Sequence, residues 1–346
     1  MIREYKWNII AVLLLSAIVL VLPLFYKSQY LIINDDTARH LATFEAIKTG
    51  NASFMYLGQE MVGYGLVGAE KLTGIGIPVM FMWFNFLSLI IGGAIISVLV
   101  MKMTKSKMVS VISVFAVVFT GAILRLFWAG TIFGIIEMII ILPITLLALN
   151  YFIKKITPAS FALLVLSTAM LLLFHPDFGI QTNSTMGGKL VLTSPITIDS
   201  PTQASVQAAA NPVNPVNTET KQVTNAFDVF FIYMGVFTVA CIILCGIQIV
   251  MSKIRLNKNQ FAVLGFLGFI ALVFGTLVFT DRSSFSVRVA YNFAIVMSLL
   301  MCLLLGIVIK NSADRKSDLI KIIVALSIVG ILPNLIGWVG QYGISF

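Results

Sequence analysis

The sequence predicts an all-α integral membrane protein of about nine transmembrane helices, because its apolar runs are close to the ~20 residues that a helix needs to cross hydrocarbon. Of 346 residues, 59% are hydrophobic and 11% charged, and the mean hydropathy is +1.01. A water-soluble core cannot hide that much apolar surface, so lipid must solvate it. In lipid every backbone donor and acceptor has to be paired inside the structure, and runs of this length do so as helices, unlike the ~10-residue alternating strands of a barrel.

The first span runs from Trp7 to Tyr26. Arg3, Glu4 and Lys6 precede it as in a signal peptide, but no small-residue cleavage pattern follows the long apolar run, so the segment is expected to stay in the membrane. Further spans are read from Ile77 to Met101, Met108 to Leu126, Thr131 to Ile153 and Ser160 to Phe174. Four more run from Phe227 to Met251, Phe261 to Thr280, Val289 to Ile309 and Leu319 to Gly340. Residues 1–346 thus read as one polytopic domain with two long excursions, 27–76 and 176–226. Pro143 and Pro333 fall inside spans and can kink them. Cys241 and Cys245 share a helix face, which makes metal coordination conceivable; with no His or acidic residue near in sequence, they and Cys302 are read as small packing residues.

Orientation follows from the basic residues of the short loops. A cytoplasmic N-terminus puts Arg3 and Lys6 inside, with Lys102, Lys105 and Lys107, then Lys154 and Lys155, then Lys253, Arg255 and Lys258, and finally Lys310, Arg315, Lys316 and Lys321. Only Glu4, Asp314 and Asp318 oppose them, whereas the outer side carries nine basic against ten acidic residues. The net charge of +9 therefore describes membrane insertion; its cations are scattered over several loops and not gathered on one stripe, which argues against a nucleic-acid partner. The C-terminus is expected outside, and the chain in the cell membrane.

The two outer excursions differ in character. Residues 176–226 are rich in Thr, Ser, Asn and Pro and bury little apolar area, so their centre is expected to be flexible. Residues 27–76 instead encode local order. Asn34-Asp35-Asp36-Thr37 supplies capping side chains, Leu41, Phe44 and Ile47 recur at helical spacing, and Gly50 ends the segment, so a short amphipathic helix is expected along the outer surface. Asp35 with Arg39, and Asp36 with His40, are i, i+4 pairs. A second interfacial helix is expected over Gln59 to Leu72, with Gly63, Gly65 and Gly68 permitting close approach. The ordinary reading of Asp35-Asp36 is a solvated cap. The other outer span edges, however, carry Arg125, Glu137, His175, Asp177, Asp281, Arg282 and Arg288, and charges at a hydrocarbon boundary are costly unless paired or hydrated. Snorkelling to the interface accounts for Arg125 and Arg288 equally well.

Asn34-Asp35-Asp36-Thr37-Ala38-Arg39-His40 after a first span with a cytoplasmic N-terminus resembles the start of the GT-C superfamily of membrane glycosyltransferases. Its members include protein mannosyltransferases, aminoarabinose transferases and oligosaccharyltransferase catalytic subunits. The likeness extends to Tyr64 to Gly74 before span two, Phe127-Trp128-Ala129-Gly130-Thr131 before span four, Leu173-Phe174-His175-Pro176 after span five and Ser286-Val287-Arg288-Val289-Ala290 at span eight. The resemblance implies a GT-C-like fold and transfer of a sugar from a polyprenyl phosphate donor to an acceptor (protein, lipid or glycan) on the extracytoplasmic side. It also implies that Asp35 or Asp36 matches the catalytic acidic residue of the first outer loop, which acts as base or orients the acceptor. Arg288 and Arg282 would hold the lipid phosphate with His175 assisting, and Arg39, His40 and Asp177 would line the substrate. Guanidinium groups suit bidentate phosphate binding. Only some branches of the superfamily use a divalent metal; Asp35, Asp36 and Asp177 offer oxygen ligands, but no spacing demands one, so no cofactor is expected. Many relatives carry a large soluble domain after the last span, whereas this sequence reads to Phe346 just beyond span nine.

A second class remains open: a non-catalytic membrane protein that binds or moves lipid-linked intermediates. A transporter would be expected to show internal repeats or broken mid-membrane helices, and neither is evident. A sortase-like peptidase would place a nucleophilic Cys at the outer edge, whereas Cys241 and Cys245 lie deep within a span. Asn51-Ala52-Ser53 and Asn183-Ser184-Thr185 match the N-glycosylation acceptor pattern on the expected outer side.

Overall fold

The computed structural model describes residues 2–21, 35–50, 55–123, 132–174, 181–182, 226–280, 284–311, 321 and 324. Among the described residues the fold is helical, apart from a pair of two-residue strands. In chain order the elements are α1 (Ile2–Val21), α2 (Asp35–Lys48), β1 (Met55–Tyr56), α3 (Leu57–Thr73), α4 (Ile77–Thr104) and α5 (Lys107–Val118). They continue with α6 (Ile132–Lys154), α7 (Pro158–Phe174), β2 (Gln181–Thr182), α8 (Ala226–Met251), α9 (Lys258–Thr280) and α10 (Ser284–Asn311).

Among the described residues four helices are long and apolar enough to cross a membrane: Ile77–Thr104, Ile132–Lys154, Lys258–Val278 and Val289–Asn311. Shorter apolar stretches cover Tyr5–Leu20, Lys107–Ile123, Pro158–Leu171 and Phe237–Met251. All eight coincide with segments read as spans from the sequence, whereas the ninth, Leu319 to Gly340, lies almost wholly outside the described residues. The apolar window is 78% buried in α6 and in α10 but 28% in α9, which makes the first two central and the third peripheral. The outward face of α9, with Phe261, Phe269 and Leu272 exposed, is the surface left for lipid.

Small side chains set the helix spacing. A Cβ on Gly92 of α4 would collide with Ile139 of α6, and one on the adjacent Gly93 would meet Leu15 of α1 and Val114 of α5, so this pair lets three helices close on α4. Gly306 of α10 does the same against Thr104 of α4, where a Cβ would lie 2.6 Å from Thr104 Cγ2. Cys241, Cys245 and Cys302 are buried in the core of α8 and α10 as free thiols.

Two irregularities have local causes. Pro143 has no N–H to give to the carbonyl of Ile139, and its ring would crowd that carbonyl in a regular α-turn. The chain answers with a π-turn over Glu137–Ile141, closed by the Leu142 N–H donating to the Glu137 carbonyl five residues back. The span read as continuous from Met108 to Leu126 breaks at Phe119, because Thr120 caps a fresh turn by accepting from the Ile123 N–H at 3.2 Å.

Polar ties inside the bundle fix its register. The amide of Asn8 in α1 donates to Ser97 Oγ of α4 at 2.6 Å and also to Ser110 Oγ of α5. Ser110 Oγ donates in turn to the Ser97 carbonyl at 2.8 Å. Lys102 lies over the Tyr5 ring at 5.8 Å, so the start of α1 sits beside the end of α4. A single methyl separates the behaviour of two glycines. Gly306→Ala should lower the melting temperature because its methyl overlaps Thr104, whereas Gly265→Ala, with nothing within 4 Å, should raise stability by about 0.5–1 kcal/mol through helix propensity; thermal melting of both variants in one detergent checks the opposite signs.

Candidate functional site

The site is built on α2. The helix opens at Asp35 and ends at Lys48, after which Gly50 takes φ +73, the left-handed conformation that the sequence reserves a glycine for. Its apolar stripe is buried at Phe44 and Ile47, with Leu41 partly covered. Opposite that stripe is Gly63 of α3, where any side chain would run into Ile47 and Phe44. The buried residues of α3, namely Gln59, Gly63, Leu66 and Val67, recur at the spacing of one helix face. The two helices expected from the sequence are present and pack on each other at Gly63, α3 extending two residues earlier than the expected start at Gln59, while Gly65 and Gly68 have nothing within 4 Å.

His40 fastens α2 to the bundle. Its ring is 6% exposed. Phe133 of α6 approaches it edge-on at 4.9 Å and Phe81 of α4 at 6.1 Å, while Phe44 stacks at 6.4 Å. The Gln59 side-chain amide donates to His40 Nδ1 at 2.8 Å, and with this orientation the neutral ring carries its proton on Nε2. Lys48 Nζ reaches Glu70 Oε2 at 2.8 Å and Glu45 at 4.0 Å, closing the other end of α2 onto α3. The hydrogen bond to Glu70 raises Lys48 above its ordinary value of 10.5. This contribution is fully present below pH 10.5 and is lost as pH rises through the raised value. β1 pairs antiparallel with β2, Met55 opposite Thr182 and Tyr56 opposite Gln181, so the excursions 27–76 and 176–226 meet in the structure.

Of the residues singled out in the sequence, Asp35 and Asp36 form the first turn of α2, their side chains outside the described residues. Arg39 is exposed and His40 turned inward, on different faces of the same turn. Arg288 lies in the first two turns of α10, at the end from which α4 and α6 also start, its side chain outside the described residues. Arg125, His175, Asp177, Asp281 and Arg282 lie outside the described residues altogether. Among the described residues Glu137 is the one buried carboxylate, 2% exposed and starting the π-turn four residues after Phe133.

Sequence reasoning missed Gln59, Phe81 and Phe133. Gln59 had a signal, since it is a lone amide within the apolar stripe of α3. The two phenylalanines had none, being ordinary members of apolar spans. Comparisons with family models, with curated proteins and with solved structures return no match to this chain. Its own residues define it as a helical membrane protein with a helix pair packed over one end of the bundle.

Removing the amide in Gln59→Leu should leave His40 Nδ1 buried without its donor and cost about 1–3 kcal/mol. The loss would be read as a lower melting temperature and faster proteolysis between α1 and α4, and an unchanged protein would show that the tie is dispensable.

Proposed function

We propose that this chain is a GT-C-type membrane glycosyltransferase that moves a sugar from a polyprenyl phosphate donor to an acceptor at the extracytoplasmic face. The observation that supports it most is the anchoring of α2: the helix that opens with Asp35-Asp36 is held down at His40, Gly63 and Lys48 across the bundle end where α10 begins with Arg288. A catalytic carboxylate has to be held on a rigid element near the leaving phosphate, and an anchored helix meets that need better than a free loop. The opposite end of α4, at Lys102, is 21 residues from Phe81, or ~32 Å along a helix, close to the ~30 Å of a hydrocarbon core. Cations at one end and the acidic pair at the other fit nine spans, a cytoplasmic N-terminus and an outward-facing α2.

In this reading the acceptor hydroxyl attacks the anomeric carbon while Asp35 or Asp36 takes its proton. The bond between that carbon and the phosphate oxygen breaks, and the electron pair leaves with the polyprenyl phosphate. Arg288 and Arg282 stabilise the departing charge, with His175 giving a single hydrogen bond. His40, buried against Phe81 and Phe133, acts by positioning the first turn of α2.

Asp35→Asn combined with Asp36→Asn should lower transfer from labelled polyprenyl phosphosugars by at least about a hundredfold while donor binding persists. Full turnover by the purified double variant would remove the acidic pair from the chemistry. Donor binding without turnover by the unaltered protein would instead favour a carrier of lipid-linked intermediates built on the same scaffold.

A further inference from the structure

At the other end of the bundle, the last turns of α4, α6 and α10 and the first turn of α9 surround a cavity of about 520 Å³. The volume falls within the ~300–1,000 Å³ range of small-molecule sites. Its floor is polar and buried, at Thr104, Asn150 and Gln260. The floor is also rigid. Asn259 Nδ2 donates to Asn150 Oδ1 at 2.9 Å, and Gln260 Nε2 donates to the Met103 carbonyl at 2.9 Å. Asn257 and Gln260 cap α9 reciprocally, the Gln260 N–H donating to Asn257 Oδ1 at 2.9 Å and the Asn257 N–H to Gln260 Oε1 at 3.1 Å.

The rim of the cavity is Lys102, Lys105, Lys154, Arg255, Lys258 and Lys310, all exposed, with no carboxylate among the described lining residues. These six come from four separate segments that look dispersed in the sequence. The positive-inside bias favours cations at all of these helix ends, and the helix dipole favours them at the three C-termini. Neither explains the convergence. Three C-termini and one N-terminus contribute together roughly −1 charge, too little to balance six cations. Lys6 of α1, Lys107 at the start of α5 and Lys155 after α6 lie near the same end of the bundle without lining the cavity, so sidedness alone does not require the others to gather.

Like charges gathered over a polar floor repel one another unless an anion joins them. Most are lysines, which act as point charges suited to a multiply charged phosphate. Basic pockets between spanning helices are also the places where phosphorylated lipid headgroups dock. We propose that this cavity is a binding site for a phosphate-bearing anion, supplied by an anionic lipid headgroup or by soluble phosphate. It stands ~30 Å from α2 along α4 and does not depend on the transferase reading.

The test uses the full chain in nanodiscs. One arm compares phosphatidylcholine discs with discs containing cardiolipin and reads retained lipid by native mass spectrometry. The other titrates inorganic pyrophosphate into phosphatidylcholine discs and reads the shift in melting temperature. Each arm is run on Lys154→Gln/Lys258→Gln/Lys310→Gln and on Lys6→Gln/Lys107→Gln/Lys155→Gln, which removes equal charge off the cavity. The expected result is that the first triple weakens binding at least about tenfold and the second by less than about twofold. Binding in the cardiolipin arm assigns a lipid headgroup, and binding in the pyrophosphate arm alone assigns a soluble anion. Equal weakening by both triples, or no binding in either arm, overturns the proposal. Lys258→Gln alone, which removes a cation from a helix N-terminus where it is unfavourable, keeps the test open if the first triple melts early.

Discussion

Hydrocarbon offers no hydrogen bonds, so each peptide group in a span has to find its partner within the protein. That constraint governs the regular helices of this chain and also each departure from regularity. Where Pro143 removes a donor, the backbone widens into a π-turn and Leu142 bonds five residues back, leaving the helix unbroken. Where α5 ends at Phe119, Thr120 supplies an oxygen for the next turn. Side chains obey the same rule. Asn8 Nδ2 and the hydroxyls of Ser97 and Ser110, polar groups in an apolar setting, bond to one another across α1, α4 and α5. Such ties contribute only about 0.6 kcal/mol each on average in membranes, so they specify which helices meet more than they drive association.

Association itself comes from close packing, since lipid tails are as apolar as the helices they would replace. Gly92, Gly93 and Gly306 all lie on helices that approach α4 or belong to it, and this lets several helices close on α4. The same helix begins beside His40 and ends beside the basic cavity. The anchoring of α2 and the gathering of lysines are thus two consequences of one rod packed tightly on several sides.

The span pattern was legible in the sequence because twenty-residue apolar runs have few other physical solutions, and eight of the nine predicted segments correspond to apolar helices. Helix α2 was legible for a local reason: Asp35 and Gly50 are start and stop signals whose meaning needs no tertiary context. Contacts between distant segments were not. His40 reads as a partner for Asp36 because i, i+4 spacing is visible, whereas its bond to Gln59 and its aromatic surroundings depend on how α3, α4 and α6 are arranged. The cations carried the same ambiguity. Spread over several loops they signal orientation, and their convergence appears only when helix ends are brought together. The proposed roles of Asp35, Asp36 and the arginines rest on the resemblance alone, because residue type suggests chemistry without fixing geometry.

Helix α6 connects the two polar ends through its one irregular turn. Phe133 must face His40 at one end and Asn150 must face Asn259 at the other. A π-turn accommodates an extra residue, which rotates everything after it by about 100° relative to a regular α-helix. Without that rotation the same sequence would turn Asn150 away from the cavity floor or Phe133 away from α2. Pro143 therefore does more than bend a span: by making the wide turn the favourable solution, it sets the angle between the two faces. Glu137, buried at the head of that turn, lies where the rotation begins, and its polarity inside the bundle is concentrated at the point where the backbone itself departs from the α-helix.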